Sequence, residues 1–239
     1  MSIKAVLFDM FDTLMLIKKD HEFYSPSLKR MYCYLYERGI DVPFDKFEQT
    51  YITEREKIFA KAELNFEDPH FNVRVVATLK TLGYSFDVTN PIVVEATNEF
   101  CEEFMKYVCL DVDTVPTLRT LCEKYRLGMI SNFAIPECIH KLLKTNDIAS
   151  LFDVIIISGA VNKRKPAAEI FKSALELMNI SAQEAVFVGD TIDADIKGAK
   201  AIGMRAIYIE RRKQKPSEKY LPDHTIKRLS EIPNVLESV

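Results

Sequence analysis

A chain of 239 residues with 48% hydrophobic content can bury a real core, as one large domain or two smaller ones. Its 32 Lys and Arg against 35 Asp and Glu give a net charge of -3, which excludes a global field for nucleic acid or an anionic membrane. No apolar stretch reaches the roughly 18 to 20 residues that span a bilayer, and the amino terminus lacks a signal-peptide layout. The expectation is a cytoplasmic protein acting on a small-molecule substrate, as a monomer or homodimer, with no nucleic-acid and no membrane partner. Cys33, Cys101, Cys109, Cys122 and Cys138 are odd in number and contain no C-x-x-C pair, so neither a disulfide framework nor a zinc site is suggested. They read as mostly buried thiols.

In chain order, residues 3–8 form an apolar run that drives into Asp9 and breaks into a polar turn, as a central parallel strand does. Residues 17–111 differ: segments 28–38, 44–64, 72–82 and 93–108 have apolar positions at helical spacing without convincing strands. The connections 20–26 and 110–116 are the expected hinges of this insertion. From residue 112 the chain alternates strands at 127–131, 154–158, 185–188 and 206–209 with helices at 135–145, 167–178 and 193–202. Such alternation indicates right-handed βαβ units and a parallel sheet. The fold class is therefore α/β: a Rossmann-like parallel sheet flanked by helices, with an inserted α-helical cap. The domains are a core of residues 1–16 and 112–239 and a cap of residues 17–111; the tail from 213 to 239 is expected to wrap the core edge.

Ligands of open α/β sheets collect outside the carboxyl ends of the strands. Four strand ends carry polar groups there: Asp9, then Ser131-Asn132, then Lys165-Pro166, then Gly189-Asp190 with Asp195 five residues on. Singly, each has a bland reading. Asp9 suits a turn, Ser131-Asn132 a helix cap, Lys165 a solvated loop before a helix-starting proline, and Asp190 and Asp195 a turn and a helix first turn. Those readings do not predict that all of them converge on one sheet edge.

The segments Phe8-Asp9-Met10-Phe11-Asp12-Thr13-Leu14, Ile130-Ser131-Asn132, Arg164-Lys165-Pro166-Ala167-Ala168-Glu169-Ile170-Phe171 and Val188-Gly189-Asp190-Thr191-Ile192-Asp193-Ala194-Asp195 occur in one order across nearly the whole chain. With the helical insertion after the first of them, the chain resembles the haloacid dehalogenase-like superfamily, in the subgroup with a helical cap. The resemblance implies a hydrolase in which Asp9 attacks as a carboxylate nucleophile and forms an aspartyl phosphate or aspartyl ester. It implies that Thr13, Ser131 and Asn132 bind substrate and that Lys165 supplies positive charge at the nucleophile. It also implies a Mg²⁺ held by Asp9, the backbone carbonyl of Phe11, Asp190 and, directly or through water, Asp195.

One position departs from the pattern. The family's phosphatases carry a second aspartate two residues after the nucleophile, as acid and base for the leaving group and water. Here that residue is Phe11, which cannot transfer a proton, and Asp12 beside it should point elsewhere. The 2-haloacid dehalogenases also lack that aspartate, because a departing halide needs no proton, but they dispense with the metal and with the acid at position 190. Three readings follow: a Mg²⁺-dependent phosphohydrolase of a small or activated phosphate, a 2-haloacid dehalogenase, or a catalytically weak protein whose closed site serves binding or regulation. In the insertion, Arg30, Arg55 and Arg74 could grip a substrate anion and Phe71, Tyr84 and Tyr24 could line an apolar wall, although solvated or core roles are commoner for such residues. His70 and His140 read as structural.

Overall fold

The computed structural model describes residues 2–18, 22–212 and 220–237. Strand β1, Ala5–Phe8, is wholly buried on both faces, as its unbroken apolar run requires. A short strand β2, Met15–Ile17, leads into four helices: α1 (Tyr24–Tyr36), α2 (Phe44–Glu63), α3 (Asn72–Thr81) and α4 (Pro91–Met105). Helix α4 starts where Asn90 accepts from the Ile92 amide at 2.9 Å and Pro91 fills the first position, whose amide would be unpaired in any helix. Apolar residues at three- and four-residue spacing, Leu28, Met31 and Leu35 on α1 and Val93, Ala96, Phe100 and Phe104 on α4, are buried in one continuous core.

The expected helix through residue 108 stops at Met105, because Val108–Leu110 is strand β3, antiparallel to β2 with Leu16 opposite Cys109. Three-residue strands carry no readable period, and their pairing joins distant parts of the chain. Of the expected hinges, 110–116 therefore contains the end of this ribbon and the start of α5 (Thr114–Cys122), while residues 20 and 21 of the other lie outside the described residues.

The rest alternates: β4 (Arg126–Ser131), α6 (Pro136–Thr145), β5 (Val154–Ile157), a short α7 (Ser158–Val161), α8 (Ala168–Leu177) and β6 (Ala185–Gly189). A π-helical turn at Ile192–Ile196 runs into α9 (Lys197–Ala201), followed by β7 (Arg205–Ile209), β8 (His224–Ile226) and α10 (Ile232–Glu237). Six strands form one sheet in the order β5-β4-β1-β6-β7-β8, all pairs parallel. The tail thus adds an unforeseen edge strand and packs α10 near α5; residues 213–219 and 238–239 of it are outside the described residues.

Alternation along β1 sends Ala5 and Leu7 to one face, with Ile170, Phe171 and Ile196, and Val6 and Phe8 to the other, whose core is continuous with that of α1–α4. Strand β1 lies between β4 and β6, where the strand order reverses, so a crevice opens beyond these three carboxyl ends. The fold class is as expected. Among the described residues no helix is long and apolar enough to cross a membrane. Cys101 and Cys138 are buried but Cys33 and Cys122 are exposed, so the thiols are less uniformly buried than their type suggests.

Candidate active site

The register places Phe8 beside Met129 of β4 and Val188 of β6, and the Asp9 amide donates to the Val188 carbonyl at 2.9 Å. Asp9, Ser131 and Asp190 therefore emerge side by side from neighbouring strand ends. Beyond them lies a cleft of about 290 Å³ whose lining includes Asp9, Phe11, Ser131, Lys165, Asp190 and Asp195. The residues expected from separate strand ends are brought together.

Lys165 is the centre of this charge cluster. Its Nζ donates to Asp9 Oδ1 at 2.6 Å and to the Ile130 carbonyl at 2.7 Å, and it lies 2.8 Å from Asp195 Oδ1. The last contact is a buried ion pair. Burial works against the ammonium charge, but Asp195 and Asp9 outweigh it and hold Lys165 above its ordinary value. Asp9 is itself pushed up to about 6 by burial, with Lys165 opposing and Asp195 reinforcing the rise. Burial, then Asp9 and Asp195, raise Asp190 to about 8.

Carboxylate oxygens of Asp9, Asp190 and Asp195 lie within 4.8 Å of one another. Three buried acids beside one lysine leave a surplus of two negative charges once all are ionised, and the donors are hard oxygens. The residues therefore fit a divalent cation such as Mg²⁺. Ser131 Oγ is buried, lines the cleft and has no hydrogen-bond partner among the described residues, so it is placed to serve an oxygen-rich ligand.

Two residues expected to bind substrate also make side-chain contacts within the site. Thr13 is fully buried, lies outside the cleft lining, and its hydroxyl donates to Asp9 Oδ2 at 3.2 Å, so it orients the carboxylate. Asn132 spends its side-chain amide on the main chain of Lys165, accepting from its amide at 2.8 Å and donating to its carbonyl at 3.0 Å. It positions the lysine.

The turn after Asp9 depends on residues that strand-end reading missed. Asp12 takes a left-handed φ of 55°, tolerated by aspartate, accepts from the Ile17 amide at 3.2 Å and pairs with Arg212 at 3.0 Å. Arg211 donates to the carbonyls of Asp12 at 3.2 Å and Thr13 at 3.1 Å, and pairs with Asp111 at 2.7 Å. Both arginines lie just past the carboxyl end of β7, after Glu210, at the same sheet edge, which is the signal that could have found them. The Phe11 ring instead turns to Phe104 of α4 and to Phe133, with centroids 5.4 and 5.1 Å away.

A Cβ on Gly189 would run into the Asp195 carboxylate, which also accepts from the Thr191 amide at 3.0 Å. Only glycine lets that acid lie against β6. Gly189→Ala should displace Asp195, lower stability by about 1–3 kcal/mol and remove most turnover; a wild-type melting temperature with wild-type kcat would refute this packing.

The side chains of the helical segment divide. Arg30 donates to Glu99 at 2.5 Å, an α1–α4 tie, and the Tyr84 hydroxyl accepts from the Asp41 amide at 3.0 Å. Arg55 lies over the rings of Tyr24 and Phe59. His70 accepts from the Asn72 amide at 3.1 Å and faces Glu137, His140 is exposed, and neither lines the acidic cleft. Arg74, Phe71 and Tyr24 line a second cavity, which adjoins the first at Asn132.

Over residues 3–203 the chain matches the family model described as haloacid dehalogenase-like hydrolase. It is 28% identical to the glyceraldehyde 3-phosphate phosphatase of Methanopyrus kandleri over 242 residues, covering 99% of this chain and 98% of that one. The protein of the same name from Methanothermobacter thermautotrophicus is 32% identical over 210 residues, covering 87% and 85%. Among solved structures, a 2-haloacid dehalogenase from Pseudomonas syringae superposes with a TM-score of 0.78 at 24% identity over 99% of each chain, a likeness of fold. A phosphatase from Thermococcus onnurineus gives 0.65 at 26% identity over 98% of each.

Proposed function

Since the chain belongs to the haloacid dehalogenase-like hydrolases, we propose that it is a Mg²⁺-dependent phosphohydrolase of a small phosphorylated substrate, acting through a covalent intermediate on Asp9. The observation that carries this reading is Asp190. It sits buried against Asp9 and Asp195, where three acids are hard to hold without a divalent cation. Asp9, Asp190 and Asp195, with the Phe11 carbonyl, would hold the ion. When bound, it would neutralise phosphoryl oxygens beside the nucleophile.

An Asp9 oxygen attacks phosphorus, the new O–P bond forms, and the ester P–O bond breaks with its electron pair leaving on the departing oxygen. Water then attacks the aspartyl phosphate, releases inorganic phosphate carrying the water protons, and regenerates the carboxylate. Thr13 and Lys165 orient Asp9, Asn132 fixes Lys165, and Ser131 Oγ donates to a phosphoryl oxygen. With Phe11 where an acid would stand, the departing oxygen leaves as an anion, which favours activated phosphates with stable leaving groups. Residues 17–111 serve as a cap over the core of residues 1–16 and 112–239 and shield the intermediate from bulk water.

Protein stripped with EDTA should not hydrolyse 4-nitrophenyl phosphate and should recover on adding Mg²⁺. Full turnover in EDTA would sink the metal assignment. A second reading rests on the same Phe11: a 2-haloacid dehalogenase needs no proton for its halide. Halide release from 2-chloropropionate in EDTA, with no phosphatase activity, would establish it instead.

A further inference from the structure

We propose that the aromatic cavity beside the acidic cleft is the subsite for the leaving group, and that it selects a flat, apolar leaving group ending in a carboxylate. The inference rests on the phosphohydrolase reading and extends it to a substrate class. The cavity measures about 220 Å³, and Asn132 lines both it and the cleft. Phe133, on its wall, packs at 5.1 Å against Phe11, which lines the cleft. A phosphate seated against Asp9 and Ser131 can therefore project its leaving group past Phe11 and Asn132 into the cavity. About 150 Å³ is enough for benzene, so this space holds one ring and one further polar group.

The lining states what that group should be. Phe23, Tyr24, Phe59, Phe71, Phe100 and Phe133 supply aromatic faces and edges suited to a flat apolar body. Among them Arg74 is only 6% exposed and its Nε makes no hydrogen bond to any described residue. Its guanidinium lies over Phe59 at 4.7 Å and Phe71 at 5.1 Å, which fixes its plane. The acid beside it, Asp68, pairs with it at 3.7 Å, too far for a hydrogen bond, and its other oxygen accepts from Ser158 Oγ at 2.5 Å. Arg164 also lines the cavity, so two arginines against one aspartate leave one positive charge in excess. A carboxylate matches that single charge and offers two oxygens to a guanidinium edge. Phe11 fits the same class, because a phenolate departs without a proton.

The test compares 4-carboxyphenyl phosphate with its neutral methyl ester in Mg²⁺. The ester has the better leaving group, so chemistry alone favours it. We expect the acid to win by at least about ten-fold in kcat/KM, through KM, as a charge-assisted contact would give, and the ratio to fall to about one in Arg74→Gln while Arg74→Lys keeps part of it. Equal constants in the wild-type protein, or a preference that survives in Arg74→Gln, would overturn the subsite. If neither ester is hydrolysed, the phosphohydrolase reading fails, and calorimetry decides the cavity by itself. Binding of 4-hydroxybenzoate to the wild-type protein, weakened at least about ten-fold in Arg74→Gln, supports it; absence of binding to the wild-type protein refutes it.

Discussion

Asp9→Asn should lower kcat on an aryl phosphate by at least about a thousand-fold while moving the melting temperature by no more than about 3 °C. The two halves follow from different properties of one position. An amide has the shape of the carboxylate and cannot form the covalent intermediate, so the loss falls on the chemical step. The fold tolerates the change because Asp9 is held against its own charge, pushed up to about 6 by burial and by Asp195. The amide removes one of three crowded acids. Lys165 is not orphaned either, since it keeps the Ile130 carbonyl at 2.7 Å and Asp195 at 2.8 Å. Turnover above about one hundredth of wild type would remove Asp9 as the nucleophile; a large fall in melting temperature would make it a structural acid.

The parts of this site that could be read from sequence are those fixed by buried parallel strands. Such strands are unbroken apolar runs, and the residue that ends each run lies at one sheet edge, which is why Asp9, Ser131 and Asp190 could be grouped without coordinates. What side chains do at that edge was less legible. The resemblance makes Asn132 and Thr13 substrate contacts, and the structure adds that their side chains hold Lys165 and Asp9. Backbone position does not say which polar group a neighbour has already claimed. The β2–β3 ribbon was hidden for another reason: Leu16 and Cys109 meet through a long-range pairing that leaves no local period. Arg74 stood among apolar neighbours in the run Val73-Arg74-Val75-Val76, yet only packing shows that its charge is buried over two rings.

Phe11→Asp should raise kcat/KM on simple alkyl phosphates by about 100-fold, the low end of what a placed acid supplies, and change aryl phosphates far less. An alkoxide is a poor leaving group and gains most from a proton; a phenolate gains little. The substitution also has a structural cost. Phe11 is half-buried and packs at 5.4 Å on Phe104 of α4 and at 5.1 Å on Phe133, so its ring joins the helical segment to the loop after β4. Losing that ring should destabilise the protein by about 1–3 kcal/mol, less than for a fully buried phenylalanine, and a carboxyl group against two rings will itself be reluctant to ionise. That reluctance keeps the new acid protonated, the form the leaving group needs. The ring therefore occupies the acid's place and helps close the wall between cleft and aromatic cavity, two roles that one substitution separates: alkyl turnover reports the proton, and melting temperature reports the packing. Equal gains on alkyl and aryl substrates would show that the missing proton is not what limits this enzyme.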